Sequence, residues 1–284
     1  MKPGVYICLI ALALMSVASA SQNTTSIRAQ YEMKDFKNSK QKTEGTTKTL
    51  TLKQLYNAHL FKAAYERTDT ETKPYIPKDL EVKKLFARYG YRIDGQWGVY
   101  GGYIAIDDNL VSTDGGKIYS LGVQYAPSGQ LEFAMTGYYG DYDIMKTFQI
   151  DAKMLYRYAF GEVKSRSVII VKQINIDDCQ EGSICSNAKN SYLTPGFIQS
   201  LVYHGYFATV GAFFGKRVFA VMHDGFKVQH HAMEFDKTMM AALGKRFESL
   251  ELMLKYVYQE AEELPMKNSG VEVRNTVIML GYRF

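Results

Sequence analysis

The sequence predicts an all-β fold of antiparallel strands, and three features of the chain carry that expectation. Alternating apolar and polar segments recur from Leu80 to the C-terminus. Aromatic residues are abundant and proline scarce, with 22 Tyr and 15 Phe against 6 Pro. Short polar stretches such as Asp94-Gly95, Ser128-Gly129, Gly161-Glu162, His204-Gly205 and Lys245-Arg246 separate the segments. A period of two is the mark of a strand, and strands favour aromatics and disfavour proline.

The clearest strand carries Phe148, Ile150, Ala152, Met154, Tyr156 and Tyr158 on one face, with Thr147, Gln149, Asp151, Lys153 and Arg157 on the other. Leu250 to Tyr258 repeats the pattern, with Glu251, Lys255 and Gln259 interleaved. So does Leu85 to Tyr91, with Lys84, Arg88 and Arg92 between. Charge on one face means that only that face meets water. Two arrangements satisfy this. A soluble sandwich or barrel would turn its apolar face inward. A membrane barrel would turn the apolar face to lipid and the polar face to a wet lumen.

The N-terminus reads as a signal peptide over 1–20. Lys2 is followed by an apolar run from Val5 to Val17 and by the small residues Ala18-Ser19-Ala20. That run is shorter than the roughly 20 residues a spanning helix needs. Cys8 lies inside the run, away from the cleavage pattern, which argues against a lipoprotein. Removing the segment lowers the net charge of +5 by the single charge of Lys2. The mild excess and the lack of any Lys/Arg-rich run exclude a nucleic-acid partner. Cys179 and Cys185 remain, and in an exported chain their spacing in a polar stretch points to a small disulfide loop.

The last residues separate the two arrangements. Ile278, Leu280, Tyr282 and Phe284 lie on one face, with Met279, Gly281 and Arg283 between them. This resembles the terminal strand of Gram-negative outer-membrane β-barrels, which ends in an aromatic residue preceded by apolar residues at alternate positions. The resemblance is confined to the last few residues. It implies a transmembrane antiparallel barrel in the bacterial outer membrane, read by the barrel assembly machinery and surrounded by membrane lipid. Aromatic strand ends suit the interfacial girdles of such barrels.

Longer polar loops are expected near Asp107–Gly116, Asp141–Met145, Asp177–Ser191 and Glu260–Gly270, with another around Asp69–Asp79. The dipeptide Asp224-Gly225 between alternating segments marks a hairpin, Gly215–His231, that protrudes or folds inward. With a first strand at Thr51–Arg67 the count is twelve, and both termini fall at the short-turn, periplasmic side. The start is ambiguous, because Leu52, Leu55, Tyr56, His59, Leu60, Ala63 and Ala64 also follow helical spacing. Ile27, Ala29, Tyr31 and Met33 alternate as well. Residues 21–49 are therefore a periplasmic segment, a plug or two extra strands, which would bring the barrel of residues 50–284 from twelve strands to fourteen.

A barrel of this size lies between the filled eight-stranded kind and open sixteen-stranded pores. Its lumen should be narrow and governed by what projects inward. The alternation assigns Lys62, Glu66, Lys84, Arg88, Arg92, Glu132, Asp151, Lys153, Arg157, Glu251, Lys255 and Arg283 to the inner wall. The basic excess suits a channel for small hydrophilic solutes that favours anions. The plainer alternative is that these charges pair across a plugged interior. Lys216, Arg217, His223, Lys227 and His230 belong to the hairpin and could narrow the lumen. His230 and its neighbour His231 point to opposite faces and do not suggest a shared metal, so no metal or cofactor is implied.

Two other classes compete. A structural or adhesive barrel would act through surface loops, with Tyr138-Tyr139-Gly140-Asp141-Tyr142 and the cysteine loop as contacts. An outer-membrane phospholipase would need a Ser–His pair on the barrel wall. Ser200 and His204 share a face but lie roughly 13 Å apart at the strand rise. His59 stands alone, and the clustered motif of that family is not evident. The chain is therefore not expected to be an enzyme. No feature marks a subunit interface.

Overall fold

The computed structural model describes residues 24–109, 113–229 and 233–284. Residues 1–20, read from the sequence as a signal peptide, and His230 lie outside the described residues. Fourteen antiparallel strands close into a barrel. They are β1 (Thr24–Lys37), β2 (Lys42–Tyr56), β3 (His59–Thr72), β4 (Leu80–Arg92), β5 (Trp97–Asp108), β6 (Lys117–Tyr125) and β7 (Leu131–Tyr142), then β8 (Met145–Phe160), β9 (Val163–Asp177), β10 (Ser191–Tyr203), β11 (Tyr206–Arg217), β14 (Met233–Phe247), β15 (Leu250–Glu263) and β16 (Asn268–Arg283). Two short strands, β12 (Val221–Met222) and β13 (Lys227–Val228), form a separate ribbon joined by the single helical turn His223–Gly225.

The alternation dictates the wall. Phe148, Ile150, Met154 and Tyr156 face outward from β8, while Gln149, Asp151 and Leu155 are buried inside. Leu121, Leu243 and Leu254 project outward with 74%, 68% and 57% of their surface exposed. Such a continuous apolar exterior is far beyond what a water-soluble surface tolerates, and hydrocarbon is its matching solvent. At the short-turn end, Tyr91, Trp97, Tyr125, Phe160, Tyr203, Tyr206, Phe247, Tyr282 and Phe284 stand on or beside the strand ends as an aromatic girdle. The apolar series Ile278, Leu280, Tyr282 and Phe284 is wholly outward, and the Phe284 amide donates to the Thr25 carbonyl at 2.9 Å.

Turn chemistry fixes the register. His204 and Gly205 both adopt positive φ, 46° and 82°, the conformation of a two-residue hairpin whose twist matches its strands. A Cβ at Gly205 would meet the Arg246 carbonyl oxygen at 2.7 Å. At Asp94 the carboxylate accepts the backbone N–H groups of Trp97 at 2.6 Å and Gln96 at 2.7 Å, and these bonds hold its pKa below the usual range.

Several sequence expectations are corrected. The strand count is fourteen, the alternative, because Thr51–Arg67 is not one strand. It is interrupted by Asn57-Ala58, and Asn57 takes the left-handed conformation (φ 52°) of a tight turn. The helical spacing there arises from two alternating runs meeting at that turn. Within the segment 21–49, residues 24–49 contribute β1 and more than half of β2 to the wall, with no plug among the described residues. The loop placed at Asp141–Met145 is a two-residue turn, and Tyr138-Tyr139-Gly140-Asp141-Tyr142 lies in β7, with Tyr138 and Tyr142 buried inside. The Lys245-Arg246 turn falls at Glu248-Ser249, and the Glu260–Gly270 loop shrinks to the helical turn Leu264–Met266 and Lys267.

A charge on the outward band should be costly. Leu254→Arg is expected to destabilise the folded barrel by about 2–4 kcal/mol. Urea unfolding in lipid vesicles, followed by the fluorescence of the single Trp, checks this; an unchanged midpoint would refute the outward, lipid-facing assignment.

Candidate functional site

The interior is the candidate site, and its inner wall is divided. On the inner face of β4 to β9, Phe86, Ile104, Ile106, Ile118, Tyr138 and Ile174 form a buried apolar patch. The rest of the inner wall carries most of the inward charges, beside a second, smaller apolar cluster of Met233, Phe235, Ala261, Val271 and Val273. Between β11 and β14 the chain makes no simple turn but sends residues 218–229 into the lumen. Val218, Phe219, Ala220, Val221 and Met222 settle on the apolar patch, each at most 5% exposed. Burial of each larger side chain here stabilises the hairpin by about 1.5–3 kcal/mol. The protein's main hydrophobic core is thus inside the barrel.

Polar contacts fix the hairpin across the lumen. The Gln149 amide on β8 pairs with both backbone groups of Val221: its Nε2 donates to the carbonyl and its Oε1 accepts the N–H, both at 2.8 Å. Lys172 on β9 donates to the same carbonyl at 3.0 Å and is ion-paired with Asp151. From β4, Arg88 donates to the Asp224 carbonyl at 2.8 Å and Lys84 to the Val228 carbonyl at 3.3 Å. Lys153 lies 3.4 Å from the Asp224 carboxylate. Lys62 places its Nζ 3.5 Å from the centre of the Phe226 ring, a cation–π contact. On the far side, Lys227 pairs with Glu32 of β1 at 3.0 Å.

The twelve residues assigned to the inner wall all occupy inward register positions, but they do not form one ring. Glu66 with Lys84 (2.9 Å) and Asp151 with Lys172 are buried pairs at the hairpin level. Glu132 with Arg157 (2.6 Å), together with Arg88 and Arg92, borders a cavity of about 640 Å³ towards the short turns. Glu251 and Arg283 lie at the short-turn mouth, and Lys255 lies part-way up β15. Of the hairpin residues, His223 and Asp224 border a second cavity of about 220 Å³ with Lys153, Arg166 and Lys172. Lys227 borders a third, of about 90 Å³, towards the loops. Lys216 is not at the constriction; it pairs with Glu234 (2.5 Å) and Glu262 (3.5 Å) at the hairpin base. Arg217 is completely buried beside it, bonded to Gln229 and Thr238.

Sequence reasoning missed several partners. Gln149 and Lys172 share the inward parity of Asp151 and its cross-strand neighbour, so alternation could have supplied them. Glu32 needed the recognition that β1 is a strand. Six inward carboxylates, Glu32, Glu66, Glu132, Asp151, Asp224 and Glu251, each have a cation within 3.4 Å. Lys53, Arg166, Lys255 and Arg283 have no carboxylate in ion-pair reach among the described residues.

The disulfide Cys179–Cys185 is formed. Cys185 is buried in the same apolar cluster as the hairpin, so the loop 178–190 roofs the loop end of the lumen. Asn187 ties that roof to the Leu264 carbonyl at 3.0 Å. The residues weighed for hydrolysis are engaged separately: Ser200 accepts from Thr209 (3.0 Å), His204 bonds Glu162 (2.8 Å) and His59 bonds Tyr89 (2.8 Å).

No protein-family model matches the sequence, and neither does any curated protein. Solved structures do. A bacterial polysaccharide outer membrane secretin superposes with a TM-score of 0.57 at 8% identity, covering 93% of this chain and 100% of that one. The Acinetobacter baumannii outer membrane protein Omp33 superposes with a TM-score of 0.51 at 10% identity, covering 92% and 99%. At these identities the likeness establishes a shared barrel fold.

Removal of the Gln149 clamp should loosen the hairpin without opening the wall. Gln149→Ala is expected to cost about 1–3 kcal/mol locally, the penalty for leaving a buried backbone pair unsatisfied. Amide hydrogen exchange at Val221 should accelerate by tenfold or more while β8 stays protected; unchanged exchange would show that apolar packing alone holds the segment.

Proposed function

We propose that the protein is a narrow channel of the bacterial outer membrane for small hydrophilic solutes, that it favours anions, and that residues 218–229 are its constriction. The observation that carries this reading is the charge imbalance of the inner wall. Along the pore path Glu32, Glu66, Glu132, Asp151, Asp224 and Glu251 are each neutralised by a partner, while Lys53, Arg166, Lys255 and Arg283 are left without one among the described residues. Fixed unpaired charges of one sign set the selectivity of a pore. The barrel fold shared with outer-membrane proteins supports the location, and the outward series ending at Phe284 fits a signal for the assembly machinery. The reading includes no catalytic step and no cofactor.

A structural barrel with a closed lumen is the second reading, favoured by the buried run Val218–Met222 and the roof over it. Planar-bilayer recording of protein that shifts mobility on boiling separates the two. A channel should give small, anion-preferring currents in the wild type, with Arg166→Glu moving the reversal potential towards cations. Replacement of residues 219–227 by a short Gly/Ser link should raise conductance several-fold. Silence in the wild type together with currents in the shortened variant would instead establish the closed, structural barrel.

A further inference from the structure

We infer that the short-turn mouth of the lumen holds a binding site for a small, doubly charged oxyanion, built by Arg28, Lys53, Arg246 and Arg283. The site extends the anion-channel reading by placing a specific stop on that path, yet its geometry stands whether or not the channel conducts.

Strand register assembles it from distant parts of the sequence. Arg28 on β1 lies opposite Gly281 on β16, Gly281 opposite Glu251 on β15, and Glu251 opposite Arg246 on β14. One row nearer the mouth, Ser26 lies between Lys53 on β2 and Arg283 on β16. Four cations from 28 to 283, on β2, β1, β16 and β14, therefore meet around Glu251 of the intervening β15. Glycine at 281 is what lets the first row close. A Cβ there would stand 3.3 Å from the Arg28 Cγ and 3.4 Å from the Glu251 Cβ, in the space those side chains now share.

Glu251 positions the two guanidinium groups without exhausting them. Its Oε1 takes Arg28 at 3.2 Å, and its Oε2 takes the Nε and Nη2 of Arg246 at 3.1 and 2.6 Å. Both carboxylate oxygens are thereby occupied, while each guanidinium, with five N–H donors, keeps several for another acceptor. Lys53 and Arg283 have no carboxylate in ion-pair reach among the described residues. All four cations line one cavity of about 260 Å³, together with Thr24, Ser26 and Ser249 as hydroxyl donors. The only carboxylates among its described lining residues are Glu248 and Glu251. Positive charge exceeds negative by two, which a dianion would balance. The volume is below the roughly 300–1,000 Å³ of pockets for drug-sized ligands, so the fit is to an ion of a few atoms. Fork-shaped guanidinium groups match the paired oxygens of carboxylates and phosphates.

Isothermal titration calorimetry on detergent-folded protein at low ionic strength tests this, with inorganic phosphate and succinate as probes and chloride as the control. The expected result is saturable binding of at least one dianion and none of chloride. Lys53→Gln and Arg28→Gln should each weaken it about tenfold, as loss of a charge-assisted bond would. Lys189→Gln, in the roof loop at the opposite end, should leave it unchanged. Binding of phosphate alone, or succinate alone, would confirm the site and assign its anion class. The Lys53 side chain makes no hydrogen bond or ion pair among the described residues, so its variant stays informative even if Arg28→Gln fails to fold. No saturable binding, or wild-type affinity in Lys53→Gln, would overturn the site. Because calorimetry reads binding without current, a non-conducting barrel that binds phosphate refutes the channel and keeps the site, and a conducting barrel that does not bind refutes the site alone.

Discussion

Everything in this molecule depends on the pairing of its first strand with its last. A wall whose outer face is apolar has no water to satisfy open N–H and C=O groups, and each one left unpaired in hydrocarbon costs several kcal/mol. Thirteen pairings between consecutive strands leave two edges, and the ladder from Ser26 opposite Arg283 to Lys37 opposite Glu272 removes both. That closure also fixes which residues meet at the seam, since β1 brings Glu32 and Arg28 to a lumen otherwise lined from β2 onward. Lys227 would have no Glu32 to hold the hairpin's far side without it.

The second organising fact is that the lumen has a core. In a soluble barrel the interior fills with side chains from the wall; here the wall shares that task with the segment between β11 and β14. Phe86, Ile104, Ile106 and Ile118 are inward and apolar because Phe219, Val221 and their neighbours cover them. The ionic contacts at the hairpin level follow from the same arrangement. Lys172, Lys84 and Arg88 spend donors on hairpin carbonyls, and such groups would be costly to bury without those acceptors.

Much of the wall was legible in the sequence because a period of two needs only local information. The faces of β8, β15 and β16, the inward set from Lys62 to Arg283 and the cysteine pairing could be read directly. Three things could not. Thr51–Arg67 looked continuous, since a turn at Asn57-Ala58 carries neither Gly nor Pro and rests on asparagine's tolerance of positive φ. The polar-inside rule gives no account of the inner apolar residues of β4 to β6, which make sense only with the hairpin in place. The mouth cluster of Arg28, Lys53, Arg246 and Arg283 depends on cross-strand register, which no single strand encodes. The fold was therefore a local property and the site a relational one.

The Gln149 amide has a consequence for what the inserted ribbon can become. A two-stranded ribbon such as β12–β13 has free edges, and a free edge is a template for further pairing. Gln149 occupies both hydrogen-bonding positions of Val221 on the edge facing β8, imitating with one side chain the residue of a neighbouring strand. The wall thus ends the ribbon rather than extending it. An insert held this way is denied a third strand, and its backbone cannot merge into the sheet that surrounds it.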